Sequence, residues 1–533
     1  MNMATHTPRW GMVVDINSCV GCQTCTIACK HANDTLPGVQ WRRVIDVETG
    51  DFPDVERLFL VTGCQHCAEP PCVPVCPTGA TTQRADGLVV QNYDICIGCA
   101  YCAVSCPYQA RTIVHDQLWY YGRETTQERS VEHTDRLGVA QKCSFCKDRV
   151  DAGLARGLTP GVDPEASPAC AAACIARAIH FGDFKDPESN VSRLVRERPN
   201  FQLNAQLGTD PQIKYLYTTP AVPGRAAGAG ESDEERLSDA SNPLVGALQP
   251  FWDWRAAMNW IFGGLSSGMA VAAWLATYVG TVAAANVPAL HAISAVLMAI
   301  GLFCVFLKTG RKLRFWRAAS RPQTSWMTRE LYVVAAFYPV VLANLIAPSA
   351  SLSLAGGVLA LAFLVCQAKL LHRARGIPAW RVPLIPWMIV ASGLLEGTSL
   401  LGILLLWLPG SGPMPVALPL GALILVALNA ALWIAYRRTA AEQGIVPLAR
   451  RVIAAMSQPL HVLGHAVPAL MFVLALASPA MAQVCLPIGA VAAIAGGAYW
   501  KFMIVARGGF QQGFAMPMLP QRGSGSYAAP ARL

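Results

Sequence analysis

This chain is short of charge. Only 14% of its 533 residues are Asp, Glu, Lys or Arg, against roughly a quarter in soluble domains. The shortage is concentrated: from Pro243 onward there are four acids, against 29 before it. The second half therefore cannot be an ordinary water-facing fold. Cysteine is scarce there too, with three of the chain's 19. The sequence carries no Gly-rich strand-turn-helix signature for a nucleotide and no serine nucleophile elbow, which removes two common catalytic readings. Residues 1–10 are polar and short, so no secretory signal is expected. A nucleic-acid partner is not expected either. Such surfaces interleave Lys and Arg with aromatics on a soluble face, whereas the basic residues here fall between long apolar runs.

What is abundant is cysteine in the first half. Sixteen lie between Cys19 and Cys174, in four groups of four. Run one is Cys19-x2-Cys22-x2-Cys25-x3-Cys29, and run three repeats it as Cys96-x2-Cys99-x2-Cys102-x3-Cys106 followed by Pro107. Run two, Cys64-x2-Cys67-x4-Cys72-x3-Cys76 before Pro77, widens one gap; run four, Cys143-x2-Cys146-x23-Cys170-x3-Cys174, holds a long excursion. In two-cluster ferredoxins, three close cysteines wrap one 4Fe-4S cube and the fourth ligates the neighbouring cube. Sixteen thiolates then make four clusters with none left over. Runs two and three are adjacent and carry the prolines, so they form one ferredoxin unit, and runs one and four form a second. Zinc ribbons use two doublets separated by a loop rather than an unbroken triplet, and a disulfide framework belongs to secreted chains.

The charge divides the chain. Residues 1–242 carry 22 Lys and Arg against 29 Asp and Glu, a net of about −7, while residues 243–533 carry 20 against four, a net of about +16. Opposite charges of this size favour docking of the two halves. Between them, residues 219–242 are rich in Gly, Ala, Ser and acids and read as a linker. The expected domains are thus a cysteine-rich domain over 1–218, a linker over 219–250, a membrane anchor over 251–507 and a tail over 508–533. The anchor shows eight apolar stretches, near 257–284, 288–308, 329–347, 351–372, 384–407, 415–437, 452–477 and 482–505, each about the ~20 residues needed to cross a bilayer. Every Lys and Arg of this half flanks an even-numbered connection or the ends; the connections after spans one, three, five and seven have none. Positive charge stays on the cytoplasmic side. The expectation is a multi-pass protein of the bacterial inner membrane with the cysteine-rich domain and both termini cytoplasmic.

Three segments carry a family resemblance: AspIleAsnSerCysValGlyCysGlnThrCys at 15–25, CysGlnHisCysAlaGluProProCysValProValCysProThrGlyAla at 64–80, and AspIleCysIleGlyCysAlaTyrCysAlaValSerCysProTyr at 94–108. On these the first half resembles the four-cluster electron-transfer subunit of the complex iron-sulfur molybdoenzymes. The resemblance implies these ligand sets: Cys19, Cys22 and Cys25 with Cys174; Cys143, Cys146 and Cys170 with Cys29; Cys64, Cys67 and Cys72 with Cys106; Cys96, Cys99 and Cys102 with Cys76. The membrane half is similar to the eight-helix anchor of dimethyl sulfoxide reductase at LysThrGlyArgLysLeuArgPheTrpArgAlaAla, 308–319, and SerTrpMetThrArgGluLeu, 325–331. The implied fold is an α+β double-ferredoxin-like iron-sulfur domain followed by an all-α eight-helix transmembrane bundle. Fusion of the two and a cytoplasmic orientation resemble membrane sulfite dehydrogenase or phenylacetyl-CoA:acceptor oxidoreductase. With GlyValGlnTrpArgArgVal at 38–44 and ValAlaGlnLysCys at 139–143, the cluster half looks nearest the latter.

In such anchors a quinone site sits near the cluster-bearing face. A quinone needs hydrogen-bond donors and a proton route, and ionisable groups inside a bilayer are functional candidates. Shallow on that side are Arg255, Asn259, Arg329 and Glu330, with His461 deeper; these are the expected quinone residues. Glu396 lies mid-span five, and His461 and His465 share a face of span seven. Haem is not expected: His291 and His372 lie at opposite ends of their spans, and neither is level with that pair. The expected function is electron transfer through four 4Fe-4S clusters between a separate molybdopterin catalytic subunit and the quinone pool, in contact with membrane lipid. The chain would hold the quinone but not the substrate. Two alternatives stand beside it: a quinol-oxidising wire feeding a reductase, and a cluster-fed module that translocates protons or ions.

Overall fold

The computed structural model describes residues 7–49, 56–131, 134–218, 239–407 and 416–514. Contacts divide the chain into two compact units, one through Ala247 and one formed by Leu248–Ile445 and Ala449–Phe510, with Val446–Leu448 and Gln511 to Phe514 grouped with the first. Of the linker expected over 219–250, residues 219–238 lie outside the described residues, as do residues 515–533 of the expected tail. The tail's first residues are held in place: Phe514 N–H donates to the Leu244 carbonyl at 2.9 Å, and Asn204 Nδ2 donates to the Gly513 carbonyl at 3.0 Å.

The first unit contains strands β1 (Trp10–Asp15), β2 (Arg42–Thr49), β3 (Glu56–Gly63), β4 (Thr81–Gln83), β5 (Val89–Gln91), β6 (Thr112–Ile113), β7 (Ala140–Gln141), β8 (Ile179–Asp183), β9 (Asn200–Phe201) and β10 (Ile213–Leu216). The main sheet has the order β8-β1-β10-β9, with β1 parallel to β10 and antiparallel to β8. Strand β1 is TrpGlyMetValValAsp, apolar on both faces, as a central strand covered on both sides must be. Its Met12 and Val14 enter a core with Phe181, Tyr215 and Leu60, while Val13 turns the other way to Val191 and Leu216. The remaining strands form three two-stranded antiparallel sheets, β2-β3, β4-β5 and β6-β7. Short helices α1 (Thr24–Asn33), α2 (Tyr101–Val104), α3 (Lys147–Ala155) and α4 (Ala169–Ala172) begin within or beside cysteine runs one, three and four, and α5 (Asn190–Glu197) covers the sheet.

The second unit has eight helices long and apolar enough to cross a membrane among the described residues. Spans one to eight are Trp254–Tyr278, Ala284–Lys308, Trp326–Ile346, Ala350–His372, Ile385–Leu405, Ala417–Thr439, Pro447–Ala477 and Pro479–Arg507. Water supplies no drive for helices to associate in lipid, so close packing at small residues does. Span one meets span five through glycines: a Cβ on Gly268 would strike the Gly393 carbonyl, and one on Gly397 would strike the main chain at Gly268 and Met269. Span seven is not a continuous α-helix. Its Leu460–Ala466 segment is a π-helix between α-helical stretches Pro447–Pro459 and Val467–Ala477. Pro459 and Pro468 bracket it, and each lacks the N–H that the regular ladder needs.

Candidate functional site: cysteine cradles and buried polar groups

Each cysteine run makes the same turn. The residue just before the second cysteine is left-handed in all four: Gly21 at φ 67°, His66 at 43°, Gly98 at 69° and Phe145 at 54°. Runs one and three then repeat a second left-handed residue, Gln23 at φ 61° and Ala100 at 65°, immediately before α1 and α2. Such turns bend the chain around a centre and aim successive side chains and N–H groups inward.

The turns gather the thiols into four quartets. Cys64, Cys67, Cys72 and Cys106 line one cavity; Cys76, Cys96, Cys99 and Cys102 line a second; Cys19, Cys22, Cys25 and Cys174 line a third. Cys29 stands with Cys143, Cys146 and Cys170: burial first, then those three neighbouring thiols, push its own thiol up. For Cys106 burial, followed by Cys72 and Cys64, raises the thiol to about 11. The structure thus brings together the same sets that the family resemblance implies. Backbone N–H groups point at sulfur: Phe145 donates to Cys143 Sγ and Thr81 to Cys76 Sγ, each at 3.4 Å, and Ala178 to Cys174 Sγ at 3.2 Å.

Three cations are buried in the same unit. Arg42, Arg111 and Lys142 are at most 4% exposed, and none has a carboxylate partner among the described residues. An isolated buried cation is costly. The neighbours of Arg42 and Arg111 are thiols, whereas Lys142 Nζ donates to the Val89 and Cys143 carbonyls. Burial opposes the Arg42 charge, but Cys170, Cys143 and Cys29 outweigh it and raise its pKa; burial likewise opposes Arg111, and Cys102, Cys72, Cys64 and Cys106 outweigh it. Arg42 Nε and Nη1 and Arg111 Nη2 meet no protein acceptor. Among the described residues no group of three or more His, Cys, Asp or Glu side chains is arranged to hold a single ion. Thiols set around open space, with unspent buried positive charge beside them, fit a polyanionic iron-sulfur cube. Spacing alone located the cysteines. The three cations gave no local signal, because what distinguishes them is burial.

In the second unit the five expected quinone residues separate. Asn259 and Glu330 come together, Asn259 Nδ2 donating to Glu330 Oε1 at 3.4 Å, with both residues 5% exposed. Arg255 instead pairs with Asp253, the N-cap of span one, at 2.7 Å. Arg329 follows the adjacent helical position away from Glu330: it donates to the Pro322 and Gln323 carbonyls and stacks 4.4 Å from the Trp326 ring centroid. His461 sits in the π-helix beside His465, ring centroids 5.5 Å apart. Sequence reasoning missed Gln367 of span four. It is fully buried, its Nε2 donating to the Asn259 carbonyl at 2.8 Å, while Gln367 Oε1 and Asn259 Oδ1 meet no donor. It also missed Lys501. Counted among the charges at the cytoplasmic face, Lys501 is fully buried and paired with Glu396 at 2.7 Å, and Ser392 Oγ donates to the other carboxylate oxygen at 2.7 Å. Lys501 is thus held inside the bundle by the partner that span five supplies, rather than standing as a free surface charge.

Comparison with known proteins assigns both halves. Residues 55–119 match the 4Fe-4S dicluster domain, and residues 260–441 match the DMSO reductase anchor subunit (DmsC). A selenate reductase subunit from Mesobacillus selenatarsenatis is 40% identical over 221 residues, 39% of this chain and 72% of that one. The putative dimethyl sulfoxide reductase iron-sulfur subunit of Halobacterium salinarum is 34% identical over 261 residues, 46% of this chain and 94% of that one. The iron-sulfur cluster-binding subunit of menaquinone reductase from Nitratidesulfovibrio vulgaris is 38% identical over 226 residues, 39% and 88% of the two chains. With iron-sulfur cradles in one unit and eight membrane spans in the other, this chain belongs to the complex iron-sulfur molybdoenzyme family, as an iron-sulfur electron-transfer subunit fused to a membrane anchor of the dimethyl sulfoxide reductase type.

Proposed function

We propose that this subunit carries electrons through four 4Fe-4S clusters between a separate molybdopterin catalytic subunit and the quinone pool, at the cytoplasmic face of the bacterial inner membrane. The observation that carries the reading is the set of four thiol quartets with three buried cations that no carboxylate neutralises among the described residues. When bound, the clusters supply one-electron redox chemistry. The chain's residues hold and tune them. The four quartets given above ligate, backbone N–H groups to Cys143, Cys76 and Cys174 donate to sulfur, and Arg42, Arg111 and Lys142 balance negative charge.

For the quinone we favour the Asn259–Glu330 pair. Asn259 Nδ2 can donate to a quinone carbonyl, and Glu330 can hold a proton and deliver it as electrons arrive. Arg255, Arg329 and His461 are left with the roles their contacts give them. The name of the menaquinone reductase relative supports a quinone partner, and those of the selenate and dimethyl sulfoxide reductase relatives support a catalytic partner subunit. Orientation rests on the positive charge flanking the even-numbered connections. Iron and acid-labile sulfide analysis of the purified protein tests the core of the proposal. About sixteen of each per chain is expected from four cubes, and iron near half that, or stoichiometric zinc, would remove it. The catalytic partner is tested by what co-purifies, and orientation by a reporter fused after Leu533.

A further inference from the structure

His66 precedes Cys67 in run two, and Phe145 precedes Cys146 in run four. Both are left-handed, where runs one and three place glycine. Glycine takes that conformation without a Cβ penalty, whereas a bulky side chain is strained there. At these two positions a ring is nonetheless kept. Both side chains are fully buried, and the rings lie against each other, centroids 3.9 Å apart and planes 30° from parallel. His66 Nδ1 accepts the Val89 N–H at 3.1 Å, which assigns its proton to Nε2; Nε2 donates to the Cys143 carbonyl at 3.1 Å. Lys142 Nζ donates to that carbonyl at 2.7 Å and also to the Val89 carbonyl. A side chain of run two is thus bonded to the main chain of a run-four cysteine, and both loops are tied to β5.

We infer that His66 and Phe145 form a ring bridge between two cradles, Cys64/Cys67/Cys72/Cys106 and Cys29/Cys143/Cys146/Cys170. His66 acts as a positioning residue that fixes their separation for electron transfer. The inference rests on the proposal that these quartets hold clusters. Electron transfer weakens steeply with the gap between centres, and two rings in contact fill that gap with packed atoms rather than water. Cluster potentials respond to hydrogen bonding and exposure. A residue rooted in one loop and bonded to the other must act on both clusters, while a residue serving its own loop acts on one.

The test is an anaerobic redox titration of the full-length, cluster-loaded protein followed by electron paramagnetic resonance, comparing His66→Leu and Phe145→Leu with the parent. The expected result is that the midpoints of two clusters shift together, with altered magnetic coupling between them, while the other two stay. His66→Gln, which retains an N–H donor, should shift them less. A change at one cluster only, or at none with full iron content, overturns the bridge. If His66→Leu loses iron, Phe145→Leu decides, because it removes a ring but no hydrogen bond. A parent protein with fewer than four clusters would instead defeat the underlying assignment, a result the iron and sulfide analysis reveals separately.

Discussion

The helical bundle buries two carboxyl groups, and their surroundings differ. Glu396 is closed into an ion pair: Lys501 stands at 2.7 Å, Ser392 donates to its second oxygen, and Trp500 Nε1 donates to the Ser392 hydroxyl at 3.0 Å. Glu330 faces carboxamides. Asn259 donates to it at 3.4 Å, and no ion pair joins it among the described residues. Unsatisfied acceptors, Asn259 Oδ1 and Gln367 Oε1, remain around it. A charge that already has its counter-charge and hydrogen bonds has nothing left to offer a ligand. A carboxyl among unfilled acceptors does. Depth within the span points to Glu396 as the group for proton movement, and pairing points to Glu330.

The largest effect that could break this contrast is at the ion pair. Glu396→Gln leaves Lys501 buried without a counter-charge, which should cost about 3–5 kcal/mol, seen as loss of folded protein in detergent or a large fall in unfolding temperature. Glu396→Gln combined with Lys501→Met should recover most of that loss. If the double variant is as unstable as the single, the pair is not what Glu396 provides. A smaller effect is expected where spans one and five touch. Gly268→Ala would press a methyl into the Gly393 carbonyl and should cost roughly 1–3 kcal/mol, read by thermal unfolding, with cluster spectra unchanged. The smallest is Arg255→Gln. The Arg255–Asp253 pair has both side chains 34% exposed, so stability should change by about 0–1 kcal/mol and quinone reduction should not change. A large loss of quinone reduction there would return Arg255 to the site.

What the sequence made legible was local. Cysteine spacing located the closely spaced ligands of each run, since ligands three apart in a loop need no tertiary information, while the fourth cysteine of each quartet comes from another run and was given by the family resemblance. Eight apolar stretches located the spans for the same reason. The misses are all tertiary. Lys501 looks like any positive-inside lysine until span eight places it against Glu396, and Gln367 looks like an ordinary polar residue in span four until it reaches the main chain at Asn259. Arg329 and Glu330 are neighbours in sequence, but one helical step turns them about 100° apart, so only one of them reaches Asn259. The π-helix at Leu460–Ala466 is partly legible in its flanking prolines, yet its extent follows from packing, including the close approach of Gly464 to Gly496.

The most direct test of the proposed route is a single-turnover experiment. The protein is reduced through its clusters, mixed anaerobically with quinone, and cluster reoxidation is followed in the parent, in Glu330→Gln and in the Glu396→Gln/Lys501→Met double variant. The account predicts that Glu330→Gln slows reoxidation by roughly 10²-fold or more, the scale of a lost general acid, at unchanged cluster content, while the double variant reoxidises at close to the parent rate. Reoxidation at the parent rate in Glu330→Gln, with the double variant slowed, would contradict it and place the proton chemistry at the ion pair.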